Sequence, residues 1–288
     1  ALATSTGFAR GYAGSGFSLS ASVVAGEGSS MQTDHASRGA RFLSDLPAPE
    51  TVGSEAGRRA VERLNPKSIA SSKLPIVFEP RIAGGLISHL LGAMSAPAIA
   101  RKASFLLGHE ADELFDRAIR IVEDPLRKRG QRSRPFDGEG VRCGPRELVR
   151  DGRVTGWLTN VSSADQLGLE LTGHASRGGG GSPGVSASNV HMEPGTVSPE
   201  VLMADIEDGL YVTSLFGQGV NTVTGDYSRG ATGFRIRKGQ IAEPVAEITI
   251  AGNLLDMYRA LTPADDLEMH RSINVPTLRI DGMMVAGE

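Results

Sequence analysis

The histidines are the first candidates for metal chemistry in this chain, because metal-binding histidines on a helix are followed by further ligands at helical spacing. The motif His-Glu-x-x-His on a helix places two imidazoles on one face, with a glutamate poised to deprotonate a zinc-bound water. His89 is followed by Leu90, and an alanine stands four residues on, so the glutamate and the second histidine are both missing. His109 is followed by Glu110, but four residues on stands Glu113. The sequence therefore predicts no self-sufficient zinc site.

The residues used in nucleophilic catalysis also lack their usual companions. The single cysteine, Cys143, precedes Gly-Pro and not a helix N-terminus that would lower its pKa. No Gly-x-Ser-x-Gly elbow occurs. His174 and His191 fall on a predicted loop and strand with no partner in sequence, a pattern typical of structural histidines. The residue types alone thus indicate no complete catalytic set.

A predicted helix over Pro80–Ala100 positions His89. Bulky apolar residues recur there at intervals of three, four and five, which only a helix gathers on one face. His89 lies at the border between this bulky face and a small one, and such a helix can be buried on both sides. The bulky face comprises Ile82, Leu86, Ile87, Leu90, Leu91 and Met94, and the small face comprises Gly85, Ser88, Gly92 and Ser95.

The remaining pattern mixes strands, turns and short helices. Phe17–Val24 alternates as a half-buried strand does, Gly26–Gly39 is typical of a loop or a ragged hairpin, and Ala111–Arg117 predicts a short helix. We therefore predict an α+β fold of mostly antiparallel sheets with interleaved helices, in which the glycine-rich loops 174–184 and 216–225 line a cleft. Hairpin turns are predicted at Asp151-Gly152, Lys238-Gly239 and Asp281-Gly282.

Composition excludes several classes of partner. The 288 residues carry a net charge of −3, which gives no overall attraction to nucleic acid or anionic membranes. No apolar run approaches the roughly 20 residues of a membrane helix. A single cysteine excludes an intrachain disulfide and fits a cytoplasmic location. The first residues lack an initiator methionine and read as the middle of a strand, so we expect residues to be missing upstream.

Five segments together resemble one known family. They are Ser-Arg-Pro-Phe-Asp-Gly-Glu-Gly (133–140), Gly-His-Ala-Ser-Arg-Gly (173–178), Gly-Val-Asn-Thr-Val-Thr-Gly-Asp-Tyr-Ser-Arg-Gly (219–230), Glu-Ile-Thr-Ile-Ala-Gly-Asn-Leu (247–254) and Pro-Thr-Leu-Arg-Ile-Asp-Gly-Met (276–283). The chain resembles the PmbA (TldE) branch of the TldD/PmbA family. The resemblance implies that residues 1–288 are central and C-terminal domain, with a possible subdivision near 72 and the N-terminal family domain absent.

The resemblance also implies a function. TldD and PmbA proteins form a heterodimeric cytosolic zinc metallopeptidase that processes or degrades unfolded or modified peptides. In the TldD branch a helix carries His-Glu-x-x-x-His, and a later cysteine completes the zinc site. At those four positions this chain has His89, Leu90, Met94 and Phe216, so His89 is a remnant. The chain thus resembles the metal-free subunit, with the zinc expected in its partner.

The expected partners are therefore a TldD-like catalytic subunit and a peptide substrate, without nucleic acid or membrane. An alternative is a peptide-binding homodimeric module without protease activity, which would take extended peptides by strand addition. In either case we expect no catalytic residue and no metal ligand set in this chain. The substrate-binding candidates are His174, Arg177, Gly178, Gly179, Asn221 and Asp226.

Overall fold

Many short strands and a few helices form the described part of the chain, residues 1–178 and 180–287 of a computed structural model. None of the helices in these ranges is both long and apolar enough to cross a membrane. The helices are α1 Pro49–Glu62, α2 Pro80–Ala93, α3 Ala96–Ala100, α4 Val161–Leu167, α5 Pro199–Met203 and α6 Leu254–Arg259. The strands are β1 Leu2–Ala3, β2 Ala9–Arg10, β3 Phe17–Ala25, β4 Gln32–Ala40, β5 Ser72–Phe78, β6 Ile121–Glu123, β7 Arg146–Arg150, β8 Arg153–Val154, β9 Ala175–Ser176, β10 Gly184–Val185, β11 Val190–Met192, β12 Asp208–Phe216, β13 Asp226–Arg237, β14 Gln240–Asn253, β15 Leu261–Pro263, β16 Ile273–Asn274 and β17 Leu278–Ala286.

The largest sheet closes on itself. Its order is β14-β13-β12-β5-β17-β15, and β14 also pairs with β17. These pairings are antiparallel apart from the parallel pairing of β12 with β5. A second sheet has the order β16-β11-β6-β7-β8, and β3 forms a hairpin with β4. The two larger sheets and α2 share one apolar core, and the predicted α+β class is confirmed.

Helix α2 runs through that core. Pro80 occupies its first turn, where the missing amide costs no helical hydrogen bond. Leu86, Ile87 and Leu90 are at most 1% exposed, and each such buried side chain contributes about 2 kcal/mol of transfer free energy. The hydroxyl of Tyr258 donates to the carbonyl oxygen of Leu86 at 2.9 Å. The helix is therefore fixed by packing on several sides.

The predicted single helix over Pro80–Ala100 is wrong at one point, because the structure interrupts it after Ala93. The N–H of Leu158 donates to the carbonyl oxygen of Met94 at 2.9 Å, and the Leu158 carbonyl accepts from the N–H of Ala96 at 2.8 Å. These extended contacts replace helical hydrogen bonds, and α3 then starts with Pro97 in its first turn.

Of the two alternatives for Gly26–Gly39, the structure shows the hairpin, because most of the segment is strand β4, which pairs along its whole length with β3. Two further local predictions are wrong. Ala111–Arg117 forms turns and not a helix. Asp281-Gly282 is not a hairpin turn, because β17 continues through it with a register shift between Ile280 and Met283. Gly282 has a φ of +77° and so supplies the left-handed residue of a bulge.

The β3-β4 hairpin packs on α1 and is tied to α2 by buried charges. Val52 of α1 packs on Ala36 of β4. The buried carboxylate of Asp34 accepts from Arg63, which directly follows α1, at 3.0 Å. It also accepts from Nη1 and Nη2 of Arg81, in the first turn of α2, at 2.6 and 3.0 Å. One carboxylate thus joins three elements.

Candidate functional site

His89 opens onto a small pocket between α2 and the loop that follows β12. The pocket has a volume of about 260 Å³, and its walls include Gly92 of α2 together with Val220 and Thr222 of the loop. Arg101, directly after α3, also lines it. The pocket is large enough for a small chemical group beside the imidazole, so the neighbours of His89 decide what the ring can do.

The imidazole of His89 is held neutral at neutral pH. Burial lowers its pKa, and the positive charge of Arg229 lowers the pKa further. The ring packs edge-on against Tyr227, with the ring centroids 6.3 Å apart and the planes at 79°. A neutral imidazole can donate or accept a hydrogen bond, or bind a metal if further ligands are present.

The next two positions that the resemblance assigns to the zinc motif of the TldD branch lie inside the core. Leu90 and Met94 are both fully buried and belong to the same hydrophobic cluster. On a helix with 3.6 residues per turn, Leu90 points about 100° away from His89, and Met94 lies in the turn directly after α2. Their side chains are therefore packing residues and do not face the pocket.

Phe216, near which the resemblance places the cysteine of the catalytic branch, ends β12 with half of its side chain exposed. Its ring lies over Gly230, where an added Cβ would stand only 2.1 Å from a ring carbon. Its carbonyl oxygen accepts from Nε of Arg229 at 3.2 Å. Arg229 is also the cation that lowers the pKa of His89, so one guanidinium lies close to both positions.

The residues around His89 do not fit a zinc ion. Zinc takes three or four nitrogen, sulfur or oxygen ligands from protein, and here the other three positions are Leu90, Met94 and Phe216. In the described ranges, no three or more His, Cys, Asp or Glu side chains are grouped so that they could hold a metal. The guanidinium of Arg229 also opposes a nearby dication. No metal chemistry follows from this donor set.

Tyr227, against which His89 packs, carries a stability prediction. Its ring is buried, and its hydroxyl has no hydrogen-bond partner within residues 1–178 and 180–287; burial raises its pKa to about 12. We expect Tyr227→Phe to raise the free energy of unfolding by about 1 kcal/mol, because it removes an unsatisfied polar group. Urea denaturation measures the change. Tyr258→Phe is the matched control and should lower stability by about 1 kcal/mol, since that hydroxyl does donate to Leu86. A loss of stability in the Tyr227 variant would contradict the prediction.

Asn221 and Asp226 shape the loop beside the His89 pocket. Oδ1 of Asn221 accepts from the N–H groups of Val223 and Thr224 at 2.9 and 3.3 Å. Asp226 accepts from the hydroxyl of Thr224 at 2.6 Å and from the amide of Asn253 at 3.3 Å, and these bonds hold its pKa below the ordinary value. Both residues are exposed, and their predicted role in substrate binding stays a prediction.

His174 is placed differently, because it is only 3% exposed. Its Nε2 lies 2.6 Å from Oε2 of Glu123, and its Nδ1 lies 2.8 Å from the hydroxyl of Thr172. Burial raises the pKa of Glu123, but hydrogen bonds from His174 and Ser188 outweigh burial and hold the pKa below its ordinary value. Both nitrogens of His174 are thus engaged inside the protein in this conformation.

Arg177 and Gly178 are exposed and follow His174 by a few residues. Nε of Arg177 donates to the carbonyl oxygen of Gly138 at 2.6 Å, and Arg177 lines an open cleft of about 490 Å³ that does not include His89. Gly179 lies outside the described residues. The five described substrate-binding candidates are therefore divided between two regions, and the predicted glycine-lined cleft stays a prediction.

Sequence reasoning missed Arg229 and Glu123. Arg229 follows Tyr227 by two residues on β13, so strand alternation places both on one side of the strand. That spacing can be seen in the sequence, but only the fold shows that Arg229 lies near His89. Glu123 has no local signal, because its partner His174 is 51 residues away.

Two models of one family match nearly all of the chain. The PmbA/TldA metallopeptidase central domain matches residues 1–64, and the PmbA/TldA metallopeptidase C-terminal domain matches residues 71–287. The chain belongs to the PmbA/TldD family. The prediction made from the five sequence segments is confirmed.

Named relatives place the chain in the PmbA branch. Metalloprotease PmbA of Escherichia coli O157:H7 is 40% identical over 285 residues, which are 99% of this chain and 61% of that protein. The metalloprotease PmbA homolog of Haemophilus influenzae is 39% identical over 285 residues, with 98% and 61% covered. The chain thus spans 61% of the length of these curated relatives.

Solved structures agree with this fold. A protein of Thermotoga maritima described as a candidate modulator of a DNA gyrase has a TM-score of 0.85 at 28% identity, covering 93% of this chain and 62% of its own. TldE of Thermococcus kodakarensis has a TM-score of 0.82 over 93% and 62% of the two chains. Its 22% identity makes it a comparison of fold alone.

Proposed function

We propose that this chain belongs to the non-catalytic subunit of a cytoplasmic, two-chain zinc metallopeptidase of the TldD/TldE type, which processes or degrades unfolded or modified peptides. A TldD-like partner would hold the zinc and cleave the peptide, while this chain would help to bind and orient it. The observation that carries the proposal is the surroundings of His89, where a metallopeptidase-type helix has apolar side chains in place of the other ligands and of the base.

The packing of α2 supports a retained shape with altered chemistry. Leu90 and Met94 each fill fully buried core positions, so changing either one back to a polar ligand would remove part of the core. The positive charge near His89 comes from Arg229, which also bonds the backbone of Phe216. A fixed guanidinium can hold a loop and attract an anionic group, but it cannot polarise a carbonyl as a zinc ion does.

Metal content and peptide cleavage test the proposal directly. The purified chain alone should contain no stoichiometric zinc and cleave no unfolded peptide, whereas cleavage should appear when a TldD-type subunit is added. We expect His89→Ala to leave the zinc content and cleavage rate of the two-chain complex within about twofold, because the imidazole binds no metal. Elemental analysis and a fluorogenic peptide assay measure both quantities.

His35→Ala is the matched control, since it removes a largely exposed histidine from the β3-β4 hairpin. Zinc bound one-to-one by this chain alone, and lost in the His89 variant but not in the His35 variant, would overturn the proposal. So would peptide cleavage by this chain without a partner.

A second candidate function is a peptide-binding homodimeric module without protease activity. Within the described residues, β3 and β4 pair only with each other, and the outer edge of β3 is one that an extended peptide could join. The outer edge of β4 is less open, because the carbonyl oxygens of Thr33, His35 and Gly39 already accept hydrogen bonds from side chains. Co-purification distinguishes the two functions. A stable complex with a TldD-type subunit supports the first, and a homodimer that binds peptides while ignoring that subunit supports the second.

A further inference from the structure

An open cleft separate from the His89 pocket lies between the β3-β4 hairpin, the start of α2 and residues 270–273. Its volume is about 540 Å³, within the usual range for small-molecule sites of roughly 300–1,000 Å³. Gly84 and Gly85 of α2 and serines of the hairpin form much of its surface. Gln131 bridges two of its walls, because its Nε2 donates to the carbonyl oxygens of Gly39 and His270 at 2.9 and 2.8 Å.

The charged residues that line this cleft in the described ranges are all positive. Four arginines line it, and none of the described residues lining it is Asp or Glu. This is unusual in a chain whose net charge is −3. The lining arginines are Arg38, Arg81, Arg132 and Arg271.

Two of these arginines are neutralised from outside the cleft. Arg38 pairs with Glu55 at 2.8 Å, and Arg81 pairs with Asp34 and Glu79, each at 2.6 Å. The side chains of Arg132 and Arg271 form no ion pair with any carboxylate in the described ranges. The unbalanced positive charge of the cleft therefore belongs to these two.

Arg271 shows the imbalance most clearly. It is half-buried, and burial lowers its pKa, as does the nearby charge of Arg38, while the charge of Glu79 acts in the opposite direction. Nε of Arg271 donates to Nε2 of His270 at 3.2 Å, which leaves its two terminal nitrogens free of described partners. A guanidinium that is partly desolvated beside a like charge is costly unless an anion joins it.

We propose that this cleft binds an oxyanion, a carboxylate or phosphate group, between Arg132 and Arg271. The planar fork of a guanidinium matches both groups with two parallel hydrogen bonds. The cleft is larger than the anion alone, so the oxyanion would be carried by a small molecule or by a peptide. This site is independent of the proposed peptidase partnership and does not involve His89.

Binding measurements with three probes test the site and distinguish its ligands. Inorganic phosphate, N-acetyl-dialanine with a free carboxylate, and the C-terminal amide of the same dipeptide are titrated into the intact chain by calorimetry at constant chloride. We expect the phosphate or the carboxylate to bind, and the tighter of the two identifies the source of the oxyanion. The amide should bind at least tenfold more weakly than the carboxylate.

Variants then assign the binding to residues. Arg271→Gln and Arg132→Gln should each weaken binding about tenfold or more, a loss of roughly 1.4 kcal/mol, whereas the control Arg150→Gln, at an exposed hairpin end, should leave it unchanged. Without ligand, Arg271→Gln should raise the Tm relative to the native chain. Added oxyanion should raise the Tm of the native chain but not that of the Arg271→Gln variant. Failure of both anions to bind, equal binding of the amide, or equal loss in the Arg150 variant would overturn the site.

Discussion

Leu90→Glu, which places a glutamate where the zinc motif of the TldD branch has its base, is expected to lower the free energy of unfolding by about 4 kcal/mol. Leu90 is completely buried in the main core, so the variant loses its apolar contacts and must place a carboxyl group among them. The group will avoid ionisation by raising its pKa in the folded state. The change therefore damages the fold and still supplies no zinc ligand.

The pH dependence of this variant identifies the cause. With a folded pKa above the unfolded value of about 4.3, the stability deficit relative to the native chain is smallest at low pH and grows as pH rises from the unfolded pKa to the folded one. Leu90→Gln has the same shape without an ionisable group and should show a constant deficit relative to the native chain. Urea denaturation at several pH values measures the difference. A Leu90→Glu variant as stable as the native chain at neutral pH would show that α2 is looser than the structure describes.

The sequence predicted α2 and its neighbours well because their signals are local. A strand running into Pro80, an apolar stripe at helical spacing and left-handed turns at Asp151-Gly152 and Lys238-Gly239 each depend on a few adjacent residues. The end of the helix could not be predicted in this way. Its interruption depends on Leu158, which is more than 60 residues away and pairs with the backbone of Met94 and Ala96.

Strand β4, which the sequence left open between a loop and a ragged hairpin, has a similar explanation. Gln32–Ala40 contains histidine, arginine, serine and glycine, and no clear alternation of apolar and polar residues marks it as a strand. It forms because every residue from Gln32 to Ala40 pairs with β3, and because α1 covers one face of the resulting hairpin. Strand propensity is weak here, and tertiary pairing decides the structure.

The candidate sites show the same contrast between local signals and contacts from distant segments. The apolar residues at the two motif positions, Leu90 and Met94, could be read from the sequence, because a motif compares fixed positions along the chain. The cationic cleft could not be read as a whole, since Arg38, Arg132 and Arg271 come from three distant segments. Arg132 stands in a run of basic residues, but only the fold shows which basic residues lack carboxylate partners.

Asp34→Asn is the second change for which we expect a large effect, a loss of about 3 kcal/mol in the free energy of unfolding. The carboxylate is 3% exposed and accepts hydrogen bonds from Arg63 and Arg81. Removing its charge deprives two largely buried guanidiniums of their shared carboxylate, and of the two only Arg81 keeps another within the described part of the chain, that of Glu79. Glu62→Gln is the control, because it breaks only the exposed pair with Arg58 and should cost at most about 0.5 kcal/mol.

Acid titration separates this ion cluster from ordinary packing. Burial raises the pKa of Asp34, but hydrogen bonds from Arg81 and His35 and the charges of Arg81 and Arg63 outweigh it, so the folded pKa lies below the ordinary value. Its contribution to stability is therefore complete above the unfolded pKa of about 3.9 and is lost as pH falls through the lower folded pKa. Asp34→Asn should lack that part of the acid dependence, and its deficit relative to the native chain should shrink in the same pH range. A deficit that stays constant from neutral pH to acid would show that the Asp34 charge does not hold the hairpin to α2.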